Sequence, residues 1–311
     1  MRVVFFGTAS FAVPSLERVV AGRHEVAMCV TQPDRPQGRG LAPAPSPVKQ
    51  SAQRLGLPLM QPERLSAPLF DAVGADVGVV AAYGQLIRPD LLALPRLGML
   101  GVHPSLLPKY RGAAPVAWAL LRGERTTGVT IFRLNEALDA GDIVMRQALP
   151  VEPGEDADAL TLRLATLGAE QLARALDALA QGRAVFTPQD EAQASLAPKL
   201  TKSHGHIDWR QPAELIDRLV RAMVPWPGAS TQWQGQPLKV WATRPVPGTE
   251  VPGTEVPGTV VKVEPEALVV MTGQGTLALR ELQLPGRRRM RVKEFLAGHP
   301  VCLGERLGSD K

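Results

Sequence analysis

Apolar residues fall in short runs along this chain, and the order of the runs predicts its architecture. Met1 to Gly7 reads MRVVFFG, a near-continuous apolar run expected of a strand buried on both faces. A helical stretch around Phe11 to Val20 and a second strand, Glu25 to Val30, complete a β-α-β opening. The alternation continues with a helix near Val48 to Leu55 closed by Gly56, an apolar strand Val77 to Ala82, and a short strand Met99 to Val102 that ends at His103. Further strands are expected at Gly128 to Leu134 and Ile143 to Val151. Strands rich in Val that alternate with helices predict an α/β fold with a parallel, doubly wound sheet, whose ligands bind outside the carboxyl ends of the strands. A long helix over Ala157 to Ala180 follows, led by Glu155 and Asp156, closed by Gly182, and carrying Leu160, Leu164, Leu172 and Leu176 on its apolar face.

After this helix the periodicity fades. Residues 187–198 are polar and small with two prolines, the pattern of a linker, which sets expected bounds of 1–186 for the first domain and 199–311 for the second. The second domain opens with a helical stretch, Ala213 to Met223. It then breaks into short runs, Leu238 to Trp241, Val260 to Val263, Leu268 to Met271 and Leu277 to Leu282, which predict a small β-barrel. Val246-Pro-Gly-Thr-Glu is repeated from Val251 and, without its Glu, from Val256. A proline in every copy predicts an extended surface loop.

Composition narrows the class. With 311 residues, 45% hydrophobic and 21% charged, the chain has ample material for two cores and is not expected to be disordered. No apolar run approaches a membrane span, and the expectation is a soluble, cytoplasmic protein. Cys29 and Cys302 stand far apart with no Cys-x-x-Cys, which argues against a disulfide framework or a thiolate metal site. Net charge is +5; residues 1–198 hold 19 basic and 19 acidic side chains, so the excess lies in the C-terminal third. Part of it is the cluster Arg287, Arg288, Arg289, Arg291 and Lys293, a candidate footprint for a phosphate backbone.

Two common phosphate motifs are missing. Gly7-Thr8-Ala9 carries one glycine where a dinucleotide fingerprint needs three, and Gly38-Arg39-Gly40 lacks the Lys-Ser/Thr of a P-loop. The candidate chemistry lies in Gly101-Val102-His103-Pro104-Ser105-Leu106-Leu107-Pro108-Lys109-Tyr110-Arg111-Gly112. A lone histidine is usually structural, but this one ends a buried strand at the edge where such sheets bind ligands. The turn Leu138-Asp139-Ala140-Gly141-Asp142 offers a carboxylate that can reach the same edge. An imidazole held by a carboxylate can exchange protons near neutral pH.

HPSLLPKYRGAAP together with LDAGD resembles the folate-dependent formyltransferase family. FFGTASFAVPSL, TQPDRPQGRG, PSPVK, VVAAYGQLI, TGVTI, KLTKSHGHIDW, PWPGA and GQPLKVW extend the resemblance over nearly the whole chain. It implies a Rossmann-like formyltransferase domain followed by an OB-like β-barrel, in a protein that acts as a monomer without a membrane. It also implies transfer of a formyl group from 10-formyltetrahydrofolate to the methionine amino group of initiator Met-tRNA, without a metal. By the same resemblance His103 faces the developing oxyanion and Asp139 holds the imidazolium. Ser105, Leu106, Leu107 and Pro108 form the turn that contacts the folate. Tyr83, Gln85 and Leu86 wall the pterin pocket, while Asp142 is a decoy. RNA contacts are implied for Arg35 and Arg39 and for Arg287, Arg288, Arg289 and Arg291.

One departure touches the chemistry. The family pattern places an asparagine two residues before the catalytic histidine, where this chain has Gly101. Loss of one oxyanion donor costs ~10²–10³ in rate. An impaired variant, a compensating donor or water, and a slow natural enzyme all stay open at this point. A milder departure is Leu41-Ala42-Pro43, where some relatives are expected to carry basic residues. The competing functions are a sugar-nucleotide amine N-formyltransferase, which shares the donor, and a tRNA-binding relative with lost catalysis.

Overall fold

The computed structural model describes residues 1–37, 42–66, 73–247 and 256–308. By its contacts the chain divides into two compact units. One comprises Met1–Pro115, Thr126–Pro150 and Thr161–Pro198; the other comprises Val116–Arg125, Val151–Leu160 and Lys199–Lys311.

The strands of the first unit are β1 (Arg2–Gly7), β2 (Glu25–Val30), β3 (Arg35–Gln37), β4 (Ala42–Ala44), β5 (Leu59–Met60), β6 (Val77–Ala81), β7 (Met99–His103), β8 (Thr126–Arg133) and β9 (Ile143–Pro150). Seven of them form one sheet in the order β5-β2-β1-β6-β7-β8-β9. The short β3 and β4 pair with each other in the Pro-rich loop, with Pro36 opposite Pro43. The run VVFF of β1 is wholly buried because the strand is central and both its faces are covered. Val4 and Phe6 join Val30, Tyr83, Leu91 and Met99 in one core cluster. The helix Ala157–Ala180 brings Gly168 to the sheet, where an added Cβ would sit 3.0 Å from Val102 and 3.5 Å from Val129. That close approach holds the strand that ends at His103.

From β1 the chain runs outward to β2 and β5, then returns to β6 and β7 on the other side. The order therefore reverses between β1 and β6, the place where open α/β sheets bind ligands. The expected parallel sheet holds from β5 to β7 and fails beyond it. β8 is antiparallel to both β7 and β9. For the β8–β9 pair the reason is local: only residues 134–142 join the two strands, and a parallel return needs a longer crossover.

The strands of the second unit are β10 (Ala229–Trp233), β11 (Gln236–Val246), β12 (Val260–Glu264), β13 (Ala267–Met271), β14 (Thr276–Gln283) and β15 (Met290–Arg291). They form an antiparallel sheet in the order β10-β11-β14-β13-β12, with β15 paired to β14. The chain end touches both edges: Leu307 bridges Trp233 of β10, and Arg306 bridges Thr259 just before β12. The helix Ala213–Ala222 lays Ile216 and Val220 into the core of this unit with Val240, Leu268, Leu277 and Phe295. Most of the Val-Pro-Gly-Thr repeat lies outside the described residues. No helix among the described residues is long and apolar enough to cross a membrane.

Candidate active site

His103 is the last residue of β7 and only 6% exposed. Its Nε2 lies 2.8 Å from the carbonyl of Tyr110. A carbonyl only accepts, so Nε2 carries a hydrogen and donates it. The other ring nitrogen, Nδ1, faces Asp139 Oδ2 at 3.6 Å. That leaves Nδ1, on the side of the carboxylate, as the nitrogen without a hydrogen in the neutral ring. Phe132 meets the imidazole edge to face, with ring centroids 6.4 Å apart.

Both partners of the ring sit on unusual backbone. Tyr110 has φ +63° and Asp139 φ +50°, the left-handed region that costs non-glycine residues roughly 1–3 kcal/mol. Such strain persists only where the surroundings fix it, and the contacts here are dense. Gly112 (φ +120°) donates its N–H to Asp139 Oδ2 at 2.8 Å. A side chain at Gly112 would also place Cβ 2.8 Å from the Ala197 carbonyl, so glycine is required twice over.

The turn after His103 is anchored by Thr130, which stands directly opposite His103 on β8. Its hydroxyl donates to the Ser105 carbonyl at 2.7 Å and accepts from Leu107 N–H at 3.1 Å. Ser105 Oγ donates to the Lys109 carbonyl at 2.5 Å, and Arg146 donates to the Leu107 carbonyl at 2.9 Å. Ser105, Leu107 and Pro108 are buried while Leu106 is half-buried. Thr130 is a site residue that motif and periodicity do not single out; it lies in the TGVTI segment, and only its register opposite His103 places it here.

Segment 187–198, expected as a linker, belongs to the first unit and is bound to the His103 loop. Ser195 accepts Tyr110 N–H on its hydroxyl at 2.9 Å and Arg111 N–H on its carbonyl at 2.8 Å. Arg111, only 8% exposed, reaches Gln189 and Glu191. Hydrogen bonding to Glu191 pushes the Arg111 pKa up, and the same bond pulls that of Glu191 down. Weak periodicity conceals this segment because its contacts run through backbone and polar side chains.

The remaining candidates are scattered. Tyr83 can line a pocket only through its backbone. Its ring is 2% exposed and packs edge to face on Phe6, and its hydroxyl has no partner among the described residues. Burial pushes the phenol up to about 12. Toward the strand ends Tyr83 presents its carbonyl, which accepts from Thr8 and Gln32. Gln85 is half-buried, and Leu86 is 84% exposed, a large apolar side chain left open beyond the end of β6. Asp142 contributes its backbone carbonyl, which accepts from Arg133 N–H. Arg35 is exposed on β3, and Arg39 lies outside the described residues.

In the second unit Arg287, Arg288, Arg289 and Arg291 are all exposed. Arg288 pairs with Glu294 at 3.1 Å, and Arg289 stacks 4.0 Å from the Trp241 ring centre while facing Glu281 at 3.9 Å. Among the described residues no group of three or more His, Cys, Asp or Glu is placed to hold a metal ion.

Gly101 lies directly opposite Phe132 across the β7–β8 pair. A Cβ there would fall 2.7 Å from Phe132 Cζ, closer still to its Cε1, and 2.8 Å from Leu134 Cδ1. The phenyl ring covers the glycine and leaves no room for a longer side chain.

Known proteins are similar to this chain in sequence and in fold. The formyl transferase family matches residues 1–176, and its C-terminal domain matches residues 199–300. The chain is 46% identical to the methionyl-tRNA formyltransferase of Solibacter usitatus, with 99% of each covered. It is 47% identical to the methionyl-tRNA formyltransferase of Thermus thermophilus, again with 99% of each covered. HypX from Aquifex aeolicus, solved in complex with tetrahydrofolic acid, has the same fold at a TM-score of 0.64 and 20% identity. That alignment covers 99% of this chain and 51% of the longer one.

Proposed function

This chain belongs to the formyl transferase family, and on that premise we infer that it transfers a formyl group from 10-formyltetrahydrofolate to the methionine amino group of initiator Met-tRNA, for translation initiation. The amine attacks the formyl carbon and negative charge grows on the formyl oxygen. The amine then sheds a proton while the departing folate nitrogen gains one. The observation that carries this reading is the polarised ring of His103, with Nε2 committed to the Tyr110 carbonyl and Nδ1 turned toward Asp139. A proton taken up at Nδ1 leaves a cation held by the carboxylate, beside the forming oxyanion and able to pass the proton on.

Ser105, Leu106, Leu107 and Pro108 hold the folate mainly through turn backbone, since most of their side chains are buried. Gln85 and Leu86 wall the pterin, and the exposed Leu86 supplies an apolar surface for a flat ring. The second unit is a barrel of the oligonucleotide-binding type. Closure is supported by Arg306 and Leu307, which bridge strands at opposite ends of the sheet order. Arg35, Arg39 and the arginines 287, 288, 289 and 291 contact the tRNA. The protein works as a monomer in the cytoplasm.

Single-turnover formylation of Met-tRNA, run beside binding of the same tRNA, tests the function. Turnover is expected. Binding without turnover would favour a relative that has lost catalysis, and formylation of an amino-sugar nucleotide in place of Met-tRNA would favour the sugar enzyme.

The two carboxylates of the LDAGD turn are separable. Asp139→Asn keeps the shape but loses the charge facing Nδ1, and kcat is expected to fall by about 10²-fold or more with little change in KM. Asp142→Asn should stay within a few-fold of the parent, and a reversed order would assign the wrong carboxylate.

Replacing Arg287, Arg288, Arg289 and Arg291 together by Ser is expected to weaken tRNA binding. The slope of log K against log salt should flatten by about one unit for each phosphate that is no longer neutralised. An unchanged slope would place the RNA elsewhere.

A further inference from the structure

We propose that Gln189 is a positioning residue for this reaction, a carboxamide that ties the His103 loop to the Asp139 turn and so fixes the carboxylate beside Nδ1. The proposal rests on the formyl transfer inferred above. Gln189 Oε1 accepts from Arg111 Nε at 3.1 Å and from Arg111 Nη2 at 2.8 Å. Its Nε2 donates to the Asp139 carbonyl at 2.9 Å and to the Gly141 carbonyl at 2.7 Å. Two acceptor sites and two donor hydrogens are all used. The reverse orientation would set the amide oxygen against two carbonyls and its nitrogen against a guanidinium, so the network fixes which way the amide points.

The two elements joined in this way each carry one partner of the catalytic ring. Arg111 follows Tyr110, whose carbonyl holds Nε2, and the turn of Asp139 holds the carboxylate that faces Nδ1. Asp139 stands at φ +50°, and its carbonyl is one of the two groups that Gln189 grips. The segment bearing Gln189 is itself fixed on both sides. Thr187 and Ile143 exchange backbone hydrogen bonds at 2.8 and 2.9 Å, Glu191 pairs with Arg111, and Ser195 receives the Tyr110 and Arg111 N–H groups. Removing the carboxamide therefore loosens the Asp139 turn, which keeps its carboxylate bond from Gly112 N–H, while the segment stays in place.

The test is a double-mutant cycle on single-turnover formylation of Met-tRNA. Gln189→Ala is expected to lower kcat about 10- to 100-fold, the scale of a misplacement near 1 Å, with KM for folate and for Met-tRNA within two- to three-fold of the parent. In an Asp139→Asn background the same change should cost less than about three-fold, because the charge it positions is already gone. Gln189→Glu keeps an acceptor for Arg111 but loses both donors and sets oxygen against the two carbonyls. It should show the same kcat loss; the added charge facing Arg111 offsets part of the carbonyl repulsion, and the folded Glu variant keeps the test valid if the alanine variant folds poorly. Equal losses in both backgrounds, or a loss confined to KM, would overturn the positioning role. Absence of formyl transfer by the parent protein would instead overturn the function on which it rests.

Discussion

Replacing His103 by alanine is expected to lower kcat for formyl transfer by about 10²–10⁴-fold, the usual range for a lost general acid–base group, while folate binding survives. The expectation follows from how fully the ring is engaged. Nε2 is held by the Tyr110 carbonyl and Nδ1 faces Asp139, so the imidazole is engaged by both loops at once. Three of the other histidines are engaged elsewhere: His24 pairs with Asp177, His204 accepts from Thr201 N–H, and His299 packs against Trp233 and Phe295. Asp139 keeps its bond from Gly112 N–H in the variant, so the carboxylate stays where it was. Alanine also removes the bond from His103 Nε2 to the Tyr110 carbonyl, a loss of roughly 0.5–1.5 kcal/mol. His103→Gln separates the two effects. Its amide can donate to that carbonyl but cannot take up a proton, so stability should recover while kcat does not. Near-normal turnover in either variant, measured in single turnover, would remove the mechanism proposed here.

Several parts of this site are legible in the sequence because they depend on local pattern. VVFF in the first strand can only be buried on both faces, and Met99 to Val102 delivers His103 to the strand end by the same logic. The turn LDAGD can be paired with His103 because its glycine and its acidic residues mark a tight return near a strand end. Other parts depend on register and on side chains far apart in sequence. Periodicity gives no direction for β8, so it places neither Thr130 beneath the Ser105 turn nor Phe132 beside the ring. Residues 187–198 lack an apolar rhythm because their ties to the loop run through Gln189, Glu191 and the backbone of Ser195. The burial of the Tyr83 ring is hidden for a related reason: alternation shows which residues of a strand share a face, and Tyr83 follows the end of β6, where Ala82 at φ +42° has already broken the alternation.

Gly101 is the position where sequence and structure together change the expected result. The family pattern puts an asparagine there, and from sequence alone Gly101→Asn is expected to restore an oxyanion donor and raise kcat. The structure adds a cost. Phe132, only 4% exposed, packs its ring over the glycine from the neighbouring strand, and a new Cβ would collide with that ring and with Leu134. Overpacking of this kind costs typically about 1–3 kcal/mol and shifts the neighbours, one of which is the ring that meets His103 edge to face. Gly101→Asn alone is therefore expected to lower the melting temperature and to gain little or no rate. Truncating the obstruction separates the two contributions. In a Phe132→Ala background the asparagine takes the space of the ring and the tip of Leu134 can swing into the remainder, and kcat should rise toward the ~10²–10³ that one oxyanion donor is worth, relative to Phe132→Ala itself, with folate KM nearly unchanged. Equal kcat for Phe132→Ala and the double variant, both folded, would mean that the oxyanion is already served by another group in this enzyme and that glycine and phenylalanine form a packing pair without a catalytic penalty.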